Sequence, residues 1–326
     1  MSLAWTDDPR AFADPAWRGL AEADPDATFF HSPRYLKGYW EELGHGHLQV
    51  ALLDDGETPV ARAAFEIRDG TAWFLGGTEV TDYQGPVGAP DHRDRAAKEL
   101  MAGLAARDDW ELADLRGLPE DGAWLGSLAE AAGAGGIDAQ IEDEGVAPML
   151  ELPAGFDDYL AALSPKRRHE IRRKARRLRE AMPSVRLEDV PAEERDTALG
   201  RFFELHRSSA GPKGRFMQPG MELFFRRLAD ELMEDGTLRL LFLSNDDERL
   251  AGLLGFRWRD TFLMYNSAYD HSRGELAPGM VLVGEVIREA IESGCARLDM
   301  LKGDLDYKYR FGSRPRRIPR LVLRRP

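Results

Sequence analysis

The sequence predicts an α+β protein built from two tandem domains of similar plan, each a mixed, mostly antiparallel sheet flanked by helices. Three observations carry this. Short runs of alternating hydrophobicity come in threes, once in each half of the chain. Each triplet is followed by a helical pattern and then one more strand. The strand after the helix ends in "LRG" (Leu115–Gly117) in the first half and in "LKG" (Leu301–Gly303) in the second. The length, 326 residues, suits two domains. The boundary falls near "GVAPMLELPAG", giving domains 1–150 and 151–326.

In the first half, Ser32 and Pro33 read as an N-cap and first helical residue for "TFFHSPRYLKGYWEEL". "HLQVALL", "PVARAAFEI" and "TAWFLGG" then read as an antiparallel meander, with "DDGET" and "RDG" as turns. "DRAAKELMAGLAAR" has helical spacing and "WELADLRG" reads as a strand. In the second half the strands are "TLRLLFLS", "RLAGLLGFRW" and "TFLMYNSAYD", with turns at "NDDE" and "RD". "GMVLVGEVIREAIESG" reads as a helix closed by Gly294 as C′ residue, before the strand "ARLDMLKGD".

Composition narrows the function. Hydrophobic residues make up 43% of the chain, enough for packed cores. No apolar run reaches the roughly 20 residues of a membrane span. The first residues, "MSLAWTDDPRAFADP", lack the basic and apolar regions of a signal peptide, and the single cysteine excludes an internal disulfide and any CxxC motif. A soluble cytoplasmic protein with no metal site is the expectation. Cys295, which opens a strand and has no evident histidine partner, reads as a small buried residue.

Charge is unevenly spread. From Lys166 to Arg179, nine of fourteen residues are Lys or Arg and one is Glu. Lys308 to Arg325 adds eight Lys or Arg and no acid. These two segments of +8 each leave −29 for the rest of a chain whose total is −13. Such a body repels a long polyanion, so specific binding of duplex DNA is not expected. Ser164 and Pro165 start the basic segment as a helix. Ile171, Ala175, Leu178 and Met182 form its one narrow apolar stripe. That stripe docks the helix on the protein body, leaving the charges to water, to acidic neighbours or to an anionic ligand.

Chemistry concentrates in "YNSAYDHSRGELAPGMVLVGEVIREAIESG". A strand ends at Tyr269–Asp270, and Pro278–Gly279 starts a helix after a polar loop. The first amides of a helix lack internal partners, and glycine lets a ligand approach the backbone, so Gly279, Met280 and Val281 form a candidate pyrophosphate site. Further on, Asp299 lies on a strand and Lys308 stands between Tyr307 and Tyr309. Such a lysine serves either a phosphate or a developing oxyanion, or snorkels between packed tyrosines.

The ordered set "LSPKRRHEIRRKARRL", "LHRSSAGPKGRFM", "YNSAYD", "LAPGMVL" and "LDMLKGDLDYKYRFG" resembles the CelD-type bacterial acetyltransferases, named for an association with cellulose and exopolysaccharide biosynthesis. These are relatives of the Fem aminoacyltransferases within the GNAT superfamily. The resemblance runs from about Phe29 to the end and is strongest over Tyr159–Gly312. It implies two GNAT-like domains and an acyl-CoA donor, acetyl-CoA above all, bound in the second by Tyr269, Pro278, Gly279, Met280 and Val281. It also implies an acceptor among glycan precursors or related metabolites. "LAPGMV" replaces the glycine-rich Q/R-x-x-G-x-G/A loop of ordinary GNAT enzymes, so an aminoacyl-tRNA donor stays open beside acyl-CoA. The first domain, which reaches its helix through the acidic "YQGPVGAPDHRDR", is expected to be structural or acceptor-binding. Candidates for the catalytic groups are Lys308, Asp270, His206 and Asp299. His206 also reads as a buried, hydrogen-bonded histidine, and Asp270 as a loop cap. A GNAT-fold scaffold without turnover, serving a polysaccharide synthesis complex, is the alternative to an enzyme.

Overall fold

The computed structural model describes residues 1–209, 212–246 and 248–325. Ala210 and Gly211 of the "LHRSSAGPKGRFM" motif and Asp247 of the "NDDE" turn lie outside the described residues. The chain divides into two compact units, Met1–Val146 with Arg316–Pro326, and Ala147–Pro315. The division thus falls close to the sequence boundary, but the chain end returns to the first unit.

The first unit contains β1 (Ser2–Thr6), α1 (Pro15–Ala23), α2 (Pro33–Leu43), β2 (His47–Asp55), β3 (Thr58–Arg68), β4 (Thr71–Phe74), β5 (Val87–Gly88), α3 (Arg93–Ala105), β6 (Leu112–Leu115), α4 (Ala123–Ala134) and the start of β7 (Asp138–Glu151). The second continues with α5 (Phe156–Ala162), α6 (Pro165–Ala181), β8 (Val185–Asp189), α7 (Arg195–Arg207), α8 (Pro212–Phe216), α9 (Pro219–Leu232), β9 (Leu238–Asn245), β10 (Glu248–Trp258), β11 (Thr261–Tyr269), α10 (Pro278–Glu292), β12 (Arg297–Asp299) and α11 (Asp306–Arg310). The last strand, β13 (Arg314–Arg324), pairs with β6 through Leu321–Arg324.

Both units place one parallel pair in an otherwise antiparallel sheet. In the first the order is β1-β2-β3-β4-β6-β13, with β5 on β3 and β4 parallel to β6. In the second it is β7-β12-β11-β10-β9-β8, with β11 parallel to β12. Each parallel pair brackets a helix, α3 or α10, as a crossover connection requires.

Local signals explain the helix ends. The Ser32 hydroxyl accepts from the Tyr35 amide and that of Ser164 from the Arg167 amide, each ahead of a proline at the first position. At the other end of α10, Gly294 has φ +80°, its amide donates to Ile291, and the Cys295 amide donates to Ala290, a Schellman closure. Cys295 is buried.

In the second unit, β9 alternates. Leu241 and Leu243 join a core with Leu178 of α6 and Val283, Val286 and Ile287 of α10. Phe202, Phe203, Phe224 and Phe225 of α7 and α9 form a separate, fully buried aromatic cluster. The apolar stripe of α6 docks as its spacing requires. Leu178 and Met182 are in the core, and Ile171 and Ala175 pack against it.

Candidate acyl-transfer site

The site begins with a strand that loses its neighbour. β10 and β11 pair in register up to Leu254 opposite Asn266, and again from Phe256 opposite Leu263. Two residues, Met264 and Tyr265, therefore face the single Gly255, a β-bulge on β11 that bends the strand. Gly255 has to be glycine, since a Cβ there lies 2.5 Å from the Phe262 ring and 2.8 Å from the Leu263 carbonyl oxygen. On its other side β11 pairs with β12 only through Thr261, Phe262 and Leu263. From the bulge onward, Met264–Tyr269 has no partner in β12, and a gap opens between formerly adjacent parallel strands.

Asp299 and Lys308 fix the far wall of that gap. Asp299 is 1% exposed, and its carboxylate accepts from the Leu301 amide at 2.7 Å, turning the chain out of β12. Leu301 takes a positive φ of 58° in this turn and Gly303 one of 120°. Lys308 is 3% exposed and its Nζ donates to the carbonyls of Leu301 and Lys302 at 2.7 and 2.8 Å. An ammonium this buried needs such acceptors. Its bonds make Lys308 a brace for the turn. The Tyr309 hydroxyl donates to Asp304 at 2.6 Å, which raises that phenol to about 12.

The near wall leads to α10. Tyr269 ends β11, and its ring stands against His271 with centroids 4.3 Å apart. The Asp270 carboxylate caps the following turn, accepting from the Ser272 amide at 2.9 Å. The Ser272 side chain and amide hold the Asp270 carboxyl below the usual carboxylate range. Ala277 then adopts a left-handed conformation, φ 53° and ψ 47°, and Pro278 begins the helix. Of the three amides assigned from sequence to pyrophosphate, those of Met280 and Val281 donate to the Ala277 carbonyl at 3.0 and 3.1 Å. The Val281 bond is the ordinary first bond of the helix, and the Met280 bond tightens its first turn. The Gly279 amide alone has no partner among the described residues. Gly279 is also smaller for a reason that sequence did not show, because a Cβ there lies 2.9 Å from Cδ1 of Tyr269.

His206 lies on α7, 1% exposed, and its Nε2 is 2.9 Å from Oδ1 of Asn266, in the half of β11 that has no partner in β12. Phe202 and Phe216 flank the imidazole. The Ser209 hydroxyl and His271 Nε2 are 3.3 Å apart. The structure thus pairs His206 with a residue of the split strand, and gathers Asp270, Tyr269 and His271 at its end. Asn266, Ser209 and His271 were missed from sequence. A polar Asn inside an otherwise apolar strand is the signal that could have found Asn266.

The basic helix borders the same region. A groove of about 200 Å³ between α5, α6 and α10 is lined by Phe156, Ile171, Ala175, Met280 and Val281, with Arg172 and Arg288 at its polar wall. No group of three or more His, Cys, Asp or Glu side chains placed to hold a metal ion occurs among the described residues. Nor is any helix among them long and apolar enough to cross a membrane.

A bulged strand that parts from its parallel neighbour and runs into a helix start is the arrangement of a GNAT fold. Comparison with known proteins agrees. Residues 165–309 match the family described as acetyltransferase (GNAT) domain. No curated protein matches the chain. Among solved structures it is similar to FemX, at 11% identity over 98% of this chain and 97% of that one, with a TM-score of 0.67. It is similar to L-PGS from Bacillus licheniformis, at 13% identity over 98% and 92%, TM-score 0.62. A tandem GNAT protein from the clavulanic acid biosynthesis pathway aligns at 13% identity over 100% and 99%, TM-score 0.50. At these identities the likeness shows the shared fold.

Proposed function

We propose that the second unit transfers an acyl group, acetyl above all, from coenzyme A to an amine or hydroxyl of a glycan precursor or related metabolite. The observation that carries this is the parting of β11 from β12 after Leu263. The exposed edge of Met264–Tyr269 offers backbone donors and acceptors to an extended pantetheine, as a missing strand would. The Gly279 amide, at the positive end of α10, serves a phosphate, with Tyr269, Pro278, Met280 and Val281 shaping its surroundings. Asp299 and Lys308 act as positioning residues that hold the turn facing the thioester. His206, set by Asn266, and Asp270 are the candidate bases for the acceptor's proton. The first unit serves as structure or as acceptor platform, and the resemblance to CelD-type enzymes supports a polysaccharide-linked acceptor.

A second reading, aminoacyl transfer from tRNA, draws on the exposed cations of α6. Calorimetry with acetyl-CoA, coenzyme A and bulk tRNA separates the two. Micromolar binding of acetyl-CoA with weak, salt-sensitive tRNA binding supports the first reading. Tight tRNA binding without any response to acetyl-CoA would reject it.

A further inference from the structure

The two basic segments of the chain meet different fates. In the C-terminal one, Arg310 pairs with Glu170 at 3.6 Å, and three arginines of β13 are answered within the first unit. Arg316 pairs with Asp121 at 2.8 Å, Arg317 with Asp143 and with Glu120 at 3.4 Å, and Arg320 with Glu142 at 2.8 Å and Asp114 at 3.4 Å. On α6, Lys174 pairs with Glu170 at 3.0 Å, Arg176 with Glu180 at 3.7 Å and Arg179 with Glu285 at 2.6 Å. Lys166, Arg167, Arg172, Arg173 and Arg177 have no carboxylate within ion-pair distance among the described residues, and all five are exposed. With the apolar stripe buried, Lys166, Arg173 and Arg177 fall together on the opposite face of the helix, Arg173 two turns and Arg177 three turns beyond Lys166. A cationic face about 17 Å long, from Lys166 to Arg177, is left without an ion-pair partner among the described residues, on an otherwise acidic protein.

We infer that this face docks an acidic carrier protein that delivers the acyl group on a phosphopantetheine arm. The inference rests on the reading that the gap beside β11 takes a pantetheine thioester. Three features select this partner. Its acidic surface complements a patch one helix in size, whereas a long nucleic acid would have to cross a body carrying −29 outside the two basic segments. The cationic helix lies directly against α10, the helix that follows the split strand, so a domain seated on it stands beside the entrance. The first turn of α10 leaves one amide unengaged, and a carrier-borne arm presents one phosphate where coenzyme A presents a pyrophosphate. In the transfer the acceptor nitrogen or oxygen bonds to the thioester carbonyl carbon, the carbon–sulfur bond breaks, and the thiol leaves with the proton that the acceptor lost.

The test uses the full chain and the triple variant Lys166→Glu, Arg173→Glu, Arg177→Glu, with Lys→Gln and Arg→Gln at the same positions as a milder set. Affinity is measured for an acetyl-loaded bacterial acyl carrier protein, for acetyl-CoA and for bulk tRNA. The wild type binds the loaded carrier more tightly than acetyl-CoA. The triple variant weakens carrier binding at least tenfold and leaves acetyl-CoA within twofold. Unchanged carrier affinity in a folded triple variant overturns the inference, as does acetyl-CoA binding with no response to the carrier. Tight tRNA binding that the triple variant abolishes overturns it in favour of a nucleic acid. If neither thioester binds the wild type, the acyltransferase reading itself falls.

Discussion

The two units follow one plan and differ at one place, the start of the helix between the parallel strands. In the first unit that place is filled from within. Asp24 is fully buried, and its carboxylate accepts from the Gly88 amide at 3.0 Å, from Trp124 Nε1 at 2.8 Å and from Arg93, the first residue of α3, at 2.7 Å. In the second unit, α10 starts at Ala277 with no side-chain cap and at a proline with no N–H. β11 also runs on past its parallel partner, whereas β4 ends after four residues. The same architecture can thus be closed with an internal anion or left open for an external one. In the proposed function the open copy is the one that receives the donor's phosphate.

The largest effect should come from emptying the closed copy. Asp24→Ala leaves the Arg93 guanidinium, itself mostly buried, with only Asp26 at 3.5 Å, and orphans three further donors, the amides of Asp26 and Gly88 and Trp124 Nε1. Breaking a buried pair of this kind costs about 3–5 kcal/mol. Chemical denaturation should show it, with acetyl-CoA binding by the folded protein unchanged. A loss below about 1 kcal/mol would mean that the carboxylate is not what closes the first unit.

The next effect sharpens the open copy. Lys308→Met keeps the stem and removes two donors from the Leu301 and Lys302 carbonyls, at about 2–3 kcal/mol. If the turn it braces faces the reacting thioester, kcat falls on the order of a hundredfold with donor affinity largely kept. Reduced donor affinity with kcat kept would instead assign the lysine to a phosphate.

Gly279→Ala would close the open copy by a methyl group. Its Cβ meets the Tyr269 ring at 2.9 Å, so the ring or the helix start must move. Overpacking of this size costs about 1–2 kcal/mol. Acetyl-CoA affinity should fall with it, because Tyr269 and the Gly279 amide shift together. An alanine variant with unchanged affinity and unchanged Tyr269 fluorescence would detach this helix start from the donor.

How much of this could be read beforehand follows from the range of each contact. The strands, the Ser-Pro helix starts at 32–33 and 164–165, the glycine closure at Gly294 and the stripe Ile171–Met182 are written in neighbouring residues, so periodicity and capping revealed them. Residues 314–324 were read only as part of the basic segment Lys308–Arg325, with no strand assigned. They form β13, because the pairing that makes them a strand lies with Leu112–Leu115, some two hundred residues earlier. The site was half legible. "YNSAYD" and "LAPGMV" marked the right elements. The Met280 amide is engaged by an extra i→i−3 bond to the Ala277 carbonyl, and the bonds of Lys308 depend on a turn six residues away. Neither leaves a mark in residue type. Asp24 was passed over because its partners come from positions 88, 93 and 124.

The smallest effect concerns Asp270, at the end of the open strand, where cap and base are competing roles for one carboxylate. Asparagine caps about as well as aspartate but cannot take a proton. Asp270→Asn should therefore leave stability nearly unchanged, while Asp270→Ala, which also loses the bond from the Ser272 amide, should cost about 0.5–1 kcal/mol. Hydrogen bonds from Ser272 lower the folded-state pKa of this group below the ordinary 3.8. Its contribution to stability is therefore fully present above that value and fades as pH falls through the lower, folded one. At neutral pH the carboxylate is ionised, and a base this weak draws a proton poorly. Rates for Asp270→Asn should stay within a few-fold of wild type, with any acid limb of the pH–rate profile retained in it and abolished in His206→Gln. A hundredfold loss in Asp270→Asn, with the fold intact, would reverse the two assignments and make the cap the base.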